Sequence, residues 1–263
     1  MKKYCFFFLL LLNVLFFKTV TCSASAPLPT PDALQHSTQL LLVLSPEWDS
    51  FQGTLQRYQR SAPDKAWHLV SKKPIQVVVG KNGMAWGPEF VGQYPFPQAE
   101  RKKQEGDGRS PAGIYEFGTA FGFAADTRLI PRMKWQYLPL KTTSICVDDK
   151  TSQYYNQLID SATVSDWKPG TSGEHMLEVV PQYTWGSVIN YNKNNVVGDG
   201  SCIFMHVWRD ATAGTAGCVA MEQDEIIKVL GWLDPAKKPV IAMFPQGAYK
   251  DIQGKWGLPR VKS

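Results

Sequence analysis

Residues 200–221 decide the fold, and they read GSCIFMHVWRDATAGTAGCVAM. Their first half, 202–208, is an apolar run of β-prone residues, which predicts a buried strand. A loop of small residues, 211–217, follows and ends in a glycine directly before Cys218. Acidic residues then precede apolar residues at helical spacing, so we expect a helix over 222–233. The segment therefore predicts a strand, a loop that delivers a cysteine, and a helix.

A histidine, His206, lies inside the predicted apolar strand. Thiol nucleophilic catalysis requires an imidazole on a rigid strand beside a cysteine on a glycine-rich turn. The base raises the thiolate fraction, and the turn leaves peptide N–H groups free to face an oxyanion. A histidine and a cysteine twelve positions apart also occur together by chance, and most buried cysteines are small hydrophobes. This local pattern leaves catalysis and simple packing both open.

The first 24 residues have the pattern of a secretory signal peptide. Lys2 and Lys3 precede an apolar run over 4–17, and small residues surround a cleavage point that we expect after Ala24. The run is shorter than the ~20 residues that a membrane span needs. We therefore expect export to the periplasm or cell envelope, with no stable membrane insertion after cleavage. A retained anchor, or a lipoprotein signal ending at Cys22, remains the alternative.

The charge and the histidines exclude several classes of function. Removal of residues 1–24 lowers the formal charge from +5 to +2, which does not support a nucleic-acid footprint. The basic cluster 101–103 is typical of solvated surface. The loop 105–115 either lines a site or is a tight connection, and it lacks the Lys-Ser/Thr of a phosphate loop. The four histidines are scattered, so we expect no metal site.

About 240 residues remain after the signal peptide, and they predict a single domain. Residues 25–38 are a proline-rich, irregular lead-in. From 39 to 263 short β-prone runs alternate with Gly/Pro/Asp turns, which predicts a mainly β sandwich or barrel, mostly antiparallel, with one or two helices. The helix candidates are 152–159 and 222–233. The strand candidates are 40–44, 54–58, 67–70, 75–79, 113–117, 176–180, 188–191, 202–208 and 240–244.

Three cysteines remain after cleavage: Cys146, Cys202 and Cys218. An odd number in an oxidising compartment suggests one disulfide and one free reactive thiol. If Cys218 is the free one, Cys146–Cys202 is the only bridge available. Two buried thiols are the alternative, and the geometry decides between them.

With its flanks included, the segment resembles the L,D-transpeptidase catalytic domain (the YkuD-like family). Residues 215–220, TAGCVA, match the family signature at the Thr, Gly, Cys and apolar positions. They depart at Ala216, where the family usually has His, and at Ala220, where it often has Arg or Asn. The loop before Thr215 is also shorter than usual. One branch of the family carries these departures together with Gly-Ser-x-Ile-Phe-x-His, here 200–206. That branch resembles this chain over roughly 40–245, including 79–87, 105–113, 146–149 and 232–235.

The resemblance implies a covalent mechanism without a cofactor. Cys218 would be the nucleophile and His206 its base, with an oxyanion hole made by the peptide N–H groups of Ala216, Gly217 and Cys218. The thiolate attacks the carbonyl of the third residue of a peptidoglycan stem peptide and expels the terminal D-alanine. A side-chain amine of a neighbouring stem then converts the thioester into a 3→3 cross-link. Substrate contacts are expected from Thr215, Trp208 and Arg209, and a β-lactam of the carbapenem type should acylate Cys218.

Two other functions fit the same residues. An L,D-carboxypeptidase would resolve the thioester with water, and a catalytically silent wall-binding protein would hold a Cys218 that resists alkylation at neutral pH. The short loop between His206 and Cys218 predicts an open cleft, which admits both an acceptor stem and water. Aromatic residues such as Trp208 could wall an acceptor groove, although core packing is their commoner use. We expect a monomer with transpeptidation as its main reaction and hydrolysis as a side reaction.

Overall fold

The computed structural model describes residues 30–91, 101–130, 132–165, 167–168 and 170–261, so the predicted signal peptide lies outside the described residues. Within them the chain forms fourteen strands and three α-helices. The strands are β1 (Gln39–Ser45), β2 (Gln52–Gln59), β3 (His68–Leu69), β4 (Ile75–Val78), β5 (Met84–Trp86), β6 (Ser110–Gly122), β7 (Tyr137–Pro139), β8 (Ser144–Val147), β9 (Leu158–Asp160), β10 (Gly173–His175), β11 (Trp185–Ile189), β12 (Phe204–Val207), β13 (Val219–Met221) and β14 (Val240–Pro245). The helices are α1 (Asp32–Gln35), α2 (Gln223–Trp232) and α3 (Gln246–Ile252).

Eight of the strands close into a ring. Their order is β1-β14-β6-β11-β12-β13-β4-β2, and β2 pairs back with β1. Most neighbours are antiparallel, whereas β1–β14 and β12–β13 are parallel. Closure leaves no long sheet edge unpaired. The prediction of a mainly β, barrel-like single domain with few helices is confirmed.

The sequence of β1 shows why the ring is stable. Its seven residues, QLLLVLS, are all buried, and β14 (VIAMFP) is buried throughout as well. Strands covered on both faces read as continuous apolar runs instead of alternating ones. Each fully buried leucine contributes about 1.5–3 kcal/mol relative to an exposed one. This pair of strands is therefore the core of the ring.

A second, three-stranded sheet, β10-β8-β9, is joined to the barrel by a disulfide. Cys146 of β8 is bonded to Cys202, just before β12, with their Cα atoms 6.0 Å apart, and Cys218 is free and buried. The structure thus realises the first of the two cysteine alternatives. Around this bond lies a separate apolar cluster, which comprises Phe121, Leu140, Cys146, Met176, Tyr183, Cys202, Phe204 and Cys218. The small sheet is therefore anchored where the free cysteine lies.

Two sequence predictions of local structure are wrong. Residues 152–159 form turns that lead into β9 and no helix, because polar side chains there bond the nearby backbone: Ser152 Oγ accepts from the Tyr154 N–H at 3.1 Å. Residues 176–180 form no strand, since the chain enters a 3₁₀ turn at Met176–Glu178 after β10. Met176 is fully buried in the second apolar cluster, and Pro181 follows without a ladder donor. Helices α1, which lies in the lead-in predicted to be irregular, and α3 were not predicted, so the described residues contain three helices where one or two were expected.

The helix predicted over 222–233 is confirmed as α2. Glu222 caps it by accepting from the Asp224 N–H at 2.9 Å, and its first turn is acidic. Its buried residues, Ile226, Val229 and Leu230, belong to the main core, and the helix lies against β11 and β12. Helix α2 thus supports the strand that carries His206. None of the helices in the described ranges is long and apolar enough to cross a membrane.

Candidate active site

A cavity of about 360 Å³ brings the two predicted catalytic residues together. Cys218 and His206 both line it, as do the predicted substrate contacts Trp208, Arg209 and Thr215. Its wall also includes Glu174 and Tyr183, to which the sequence assigned no role. Larger cavities of about 560 Å³ and 470 Å³ lie elsewhere and contain neither His206 nor Cys218. The chemistry of the lining, and not the volume, identifies the candidate site.

The turn that carries Cys218 is fixed by two hydroxyl groups. Thr215 Oγ1 accepts from the Gly217 N–H at 3.1 Å and donates to the Cys218 carbonyl at 2.7 Å. On the other side Ser110 Oγ lies 2.7 Å from the Gly217 carbonyl oxygen and accepts from the Gly80 N–H at 2.9 Å. Each hydroxyl closes the turn from a different part of the chain. Such a turn holds the thiol in place before substrate arrives.

The same turn is paired to the end of β4. The Lys81 N–H donates to the Thr215 carbonyl at 2.8 Å, and the Thr215 N–H donates to the Val79 carbonyl at 2.9 Å. A Cβ atom on Gly80 would lie 2.5 Å from the Gly108 carbonyl oxygen, so only glycine allows these segments to approach. Two of the motifs noted in the sequence, 79–87 and 105–113, thus meet behind the turn that carries Cys218.

The Cys218 thiol is held by the backbone of the strand that leads to His206. Its Sγ accepts from the Phe204 N–H at 3.3 Å and lies 3.5 Å from the Cys202 carbonyl oxygen, to which the S–H donates. Burial raises the pKa of the thiol well above its ordinary value, and the negative charge of Glu174 acts in the same direction. The Phe204 N–H opposes this shift. At rest Cys218 is therefore a protonated thiol.

The His206 imidazole is neutral. It lies on β12 opposite Gly186 of β11, and burial lowers its pKa to about 4. Nδ1 is 2.7 Å from the Val207 carbonyl oxygen. Because a carbonyl only accepts, the proton is on Nδ1, and Nε2 is the nitrogen that can take a proton. At rest the pair is thus a thiol and a neutral imidazole.

Glu174 and Tyr183 add a polar pair to the cavity. Glu174 lies on β10, Tyr183 lies in the 3₁₀ turn Gln182–Thr184, and the phenol donates to the carboxyl. The Tyr183 ring meets the His206 ring edge to face, with centroids 5.3 Å apart. Burial raises the pKa of Glu174 to about 7, and the bond from Tyr183 acts against this. Glu174 keeps part of its surface accessible, as a residue lining a cavity should.

The remaining predicted site residues differ in their surroundings. The Gly217 N–H already donates to Thr215, so the proposal for the oxyanion hole rests on Ala216 and Cys218 in this conformation. Arg209 is exposed at the rim, 3.5 Å from the Asp210 carboxylate. The backbone N–H of Trp208 donates to the Met221 carbonyl at 2.8 Å, and the half-buried Trp208 side chain lines the cavity.

The basic cluster 101–103 does not line this cavity. Arg101 pairs with Asp49 and Lys102 with Asp199, each at 2.7 Å. The expectation of solvated charges is wrong for Lys103, which is only 2% exposed and pairs with Asp107 at 2.6 Å. The glycine-rich loop folds back and brings that carboxylate to the ammonium group, which compensates the buried charge. These pairs hold the cluster in place, and the charge of Lys103 also acts to lower the pKa of the Cys218 thiol.

A sequence model of the L,D-transpeptidase catalytic domain matches residues 64–241. The matched range contains β4, β10, β12 and β13, and therefore every residue placed at the cavity above. No curated protein and no solved structure matches the chain significantly.

Proposed function

Because the chain belongs to the L,D-transpeptidase catalytic-domain family, we propose that it joins peptidoglycan stem peptides by 3→3 cross-links through a thioester on Cys218. The observation that carries the proposal is the single cavity lined by Cys218 and His206. The turn that bears the thiol is fixed there before substrate binds. A fixed nucleophile beside a base is the arrangement that covalent acyl transfer requires.

In the first half-reaction the donor stem acylates the enzyme. His206 Nε2 takes the thiol proton as Cys218 Sγ bonds to the carbonyl carbon of the third residue. The N–H groups of Ala216 and Cys218 receive the developing oxyanion. The C–N bond to the terminal D-alanine then breaks, and His206 returns its proton to the leaving amine. Because thiol and imidazole are both neutral at rest, the ion pair forms only during the attack.

In the second half-reaction an acceptor stem releases the product. Its side-chain amine bonds to the thioester carbon, the C–S bond breaks, and the thiolate is reprotonated through His206. Both halves use the same two side chains, so the route needs no cofactor. Two features favour action outside the cytoplasm: the predicted signal peptide over 1–24, and the disulfide Cys146–Cys202, a bond typical of exported proteins. The proposed location is the periplasm or cell envelope.

The second candidate function is L,D-carboxypeptidase activity at the same residues. It is favoured by the exposure of Ala216 and Arg209, which leaves the mouth of the cavity open to water. Water would then attack the thioester and release a tripeptide. We propose hydrolysis as the minor outcome.

The decisive experiment incubates residues 25–263 with purified tetrapeptide muropeptides and analyses the products by mass. We expect free D-alanine and 3→3 dimers, and neither from Cys218→Ala as the matched control. Tripeptide monomers alone, even at high acceptor concentration, would replace the transpeptidase with the carboxypeptidase. A folded protein that releases no D-alanine would leave only the silent wall-binding protein.

A further inference from the structure

Glu174 is the one acidic side chain among the described residues that line the active-site cavity. No lysine or arginine in the described ranges forms an ion pair with it. Its carboxyl is nevertheless close enough to Cys218 for its charge to raise the thiol pKa. Removing a carboxylate from water without pairing it with a cation costs free energy, and carboxyl groups in this situation are frequent at functional sites.

The carboxyl is held in position by the aromatic wall. Tyr183 donates its hydroxyl to one carboxyl oxygen, and burial raises the pKa of Tyr183 so far that it stays a donor. The ring of Tyr183 packs edge-on against Phe121, Phe204 and His206. The phenol occupies only part of the accepting capacity of a carboxylate, which has two oxygens. The rest can accept from a ligand.

Aminolysis of a thioester by an ammonium group requires the removal of one more proton than hydrolysis does. The acceptor amine has a pKa near that of lysine, about 10.4, and therefore arrives as an ammonium ion. It loses one proton to become a nucleophile and a second one after it attacks. His206 accepts one of these and passes it to the thiolate. Water arrives neutral and needs only that one acceptor. A second proton acceptor facing the cavity would therefore speed transpeptidation without being required for hydrolysis.

We propose that Glu174 binds the ammonium group of the acceptor stem and accepts its first proton. The inference rests on the proposed function and names the residue that separates transpeptidation from hydrolysis. The proton passes from the ammonium nitrogen to the Glu174 carboxylate. The freed lone pair forms the C–N bond to the thioester carbon while the C–S bond breaks. The second proton goes through His206 to the thiolate, and Glu174 releases its proton to solvent.

The charged groups around Glu174 agree with this role. Asp148 and Glu105 raise its pKa through their negative charges, and Tyr183 lowers it through its hydrogen bond. The neutral thiol of Cys218, the neutral imidazole of His206 and the exposed guanidinium of Arg209 line the same cavity. With a pKa of about 7, the carboxyl can both take and release a proton near neutral pH. An ammonium ion in the cavity would favour its charged form.

The test is Glu174→Gln, in which the amide oxygen can still accept from Tyr183. The measurements are the acylation rate of Cys218 by a tetrapeptide donor and the ratio of dimers to tripeptides across acceptor concentrations. Loss of a proton acceptor typically costs about 10²–10⁴-fold. We expect dimer formation to fall about 100-fold and the dimer-to-tripeptide ratio to collapse, with a much smaller change in acylation. Glu174→Asp should recover part of the ratio.

The matched control is Glu178→Gln, an exposed carboxylate four positions along that does not line the cavity. It should behave as the parent protein. An unchanged dimer-to-tripeptide ratio in Glu174→Gln overturns the inference, and so does an equal loss of acylation and dimer formation, which would indicate a structural role. Absence of any acyl-enzyme in the parent protein would instead overturn the proposed function, and this inference with it.

Discussion

The Cys146–Cys202 disulfide should contribute a large part of the stability of the fold. Its cysteines are 56 residues apart, and the loss of chain entropy for a loop of that length corresponds to about 4 kcal/mol. Typical domains have only about 5–15 kcal/mol in total. The double variant Cys146→Ala/Cys202→Ala should therefore unfold at a much lower urea concentration. With a slope of about 1–3 kcal/mol per molar urea, the midpoint should fall by at least about 1 M.

The same variant should lose activity, because both ends of the bond touch the site. The Cys202 carbonyl lies 3.5 Å from the Cys218 sulfur, and Cys146 is the register partner of Glu174 between β8 and β10. A misplacement of about 1 Å can cost about 100-fold in rate. We expect D-alanine release to fall by up to that factor at urea concentrations where the variant is folded.

Urea titrations with and without a reductant supply the controls. Cys218→Ala retains the disulfide, so its midpoint should fall on reduction as far as that of the parent protein. The double variant should not respond to the reductant. A midpoint shift equivalent to less than about 1 kcal/mol would show that the loop entropy of this disulfide does not stabilise the native state.

Three further predictions concern the chemistry. Cys218→Ala should abolish turnover and His206→Ala should reduce it by about 10²–10⁴-fold, and a carbapenem adduct recovered by mass on Cys146 or Cys202 would contradict the assignment. Because His206 accepts a proton only while neutral, D-alanine release should fall only as the pH approaches about 4. Dimer formation should decline already below about pH 7, because Glu174 becomes protonated there. Superimposable pH profiles for the two products would contradict this. Thr215→Val removes two hydrogen bonds from the turn that carries Cys218, so it should lower the free energy of unfolding by about 1–3 kcal/mol in a urea titration and should slow acylation. Thr212→Val on the same loop is the control: its hydroxyl donates to Asp210 at the surface, and its loss should cost less than half as much.

The central segment could be predicted because its signals are local. Each signal depends only on residues that are close together in the sequence: the apolar run before Trp208, the small-residue loop, and the helical spacing after Cys218. The structure has a strand, a loop and a helix at these places. The buried run at β1 is similarly explicit. The family motifs added the pairing of His206 with Cys218, which spacing alone left open.

The parts that could not be predicted depend on contacts between distant segments. Glu174 reaches the cavity because β10 pairs with β8, which the disulfide ties to the barrel. The residues near Glu174 in the sequence do not indicate that β10 pairs with β8. The neighbouring residues 176–180 look like a strand, yet burial of Met176 in the second apolar cluster makes them a turn. Lys103 differs, because its partner Asp107 is only four positions away; the sequence does not show that the glycine-rich loop folds back and brings the two charges together.

The burial of the Cys218 thiol also affects its reactions with small oxidants and alkylating agents. Peroxide, disulfides and haloacetamides all react with the thiolate, and burial keeps this sulfur protonated. The free enzyme should therefore resist sulfenic acid formation and disulfide exchange in an oxidising compartment without a protective partner. Slow alkylation of the unliganded protein is accordingly expected of the active enzyme too, and it does not identify a silent wall-binding protein. The reactivity of this thiol is therefore measured with a ligand that fills the cavity and allows the thiol proton to move to His206.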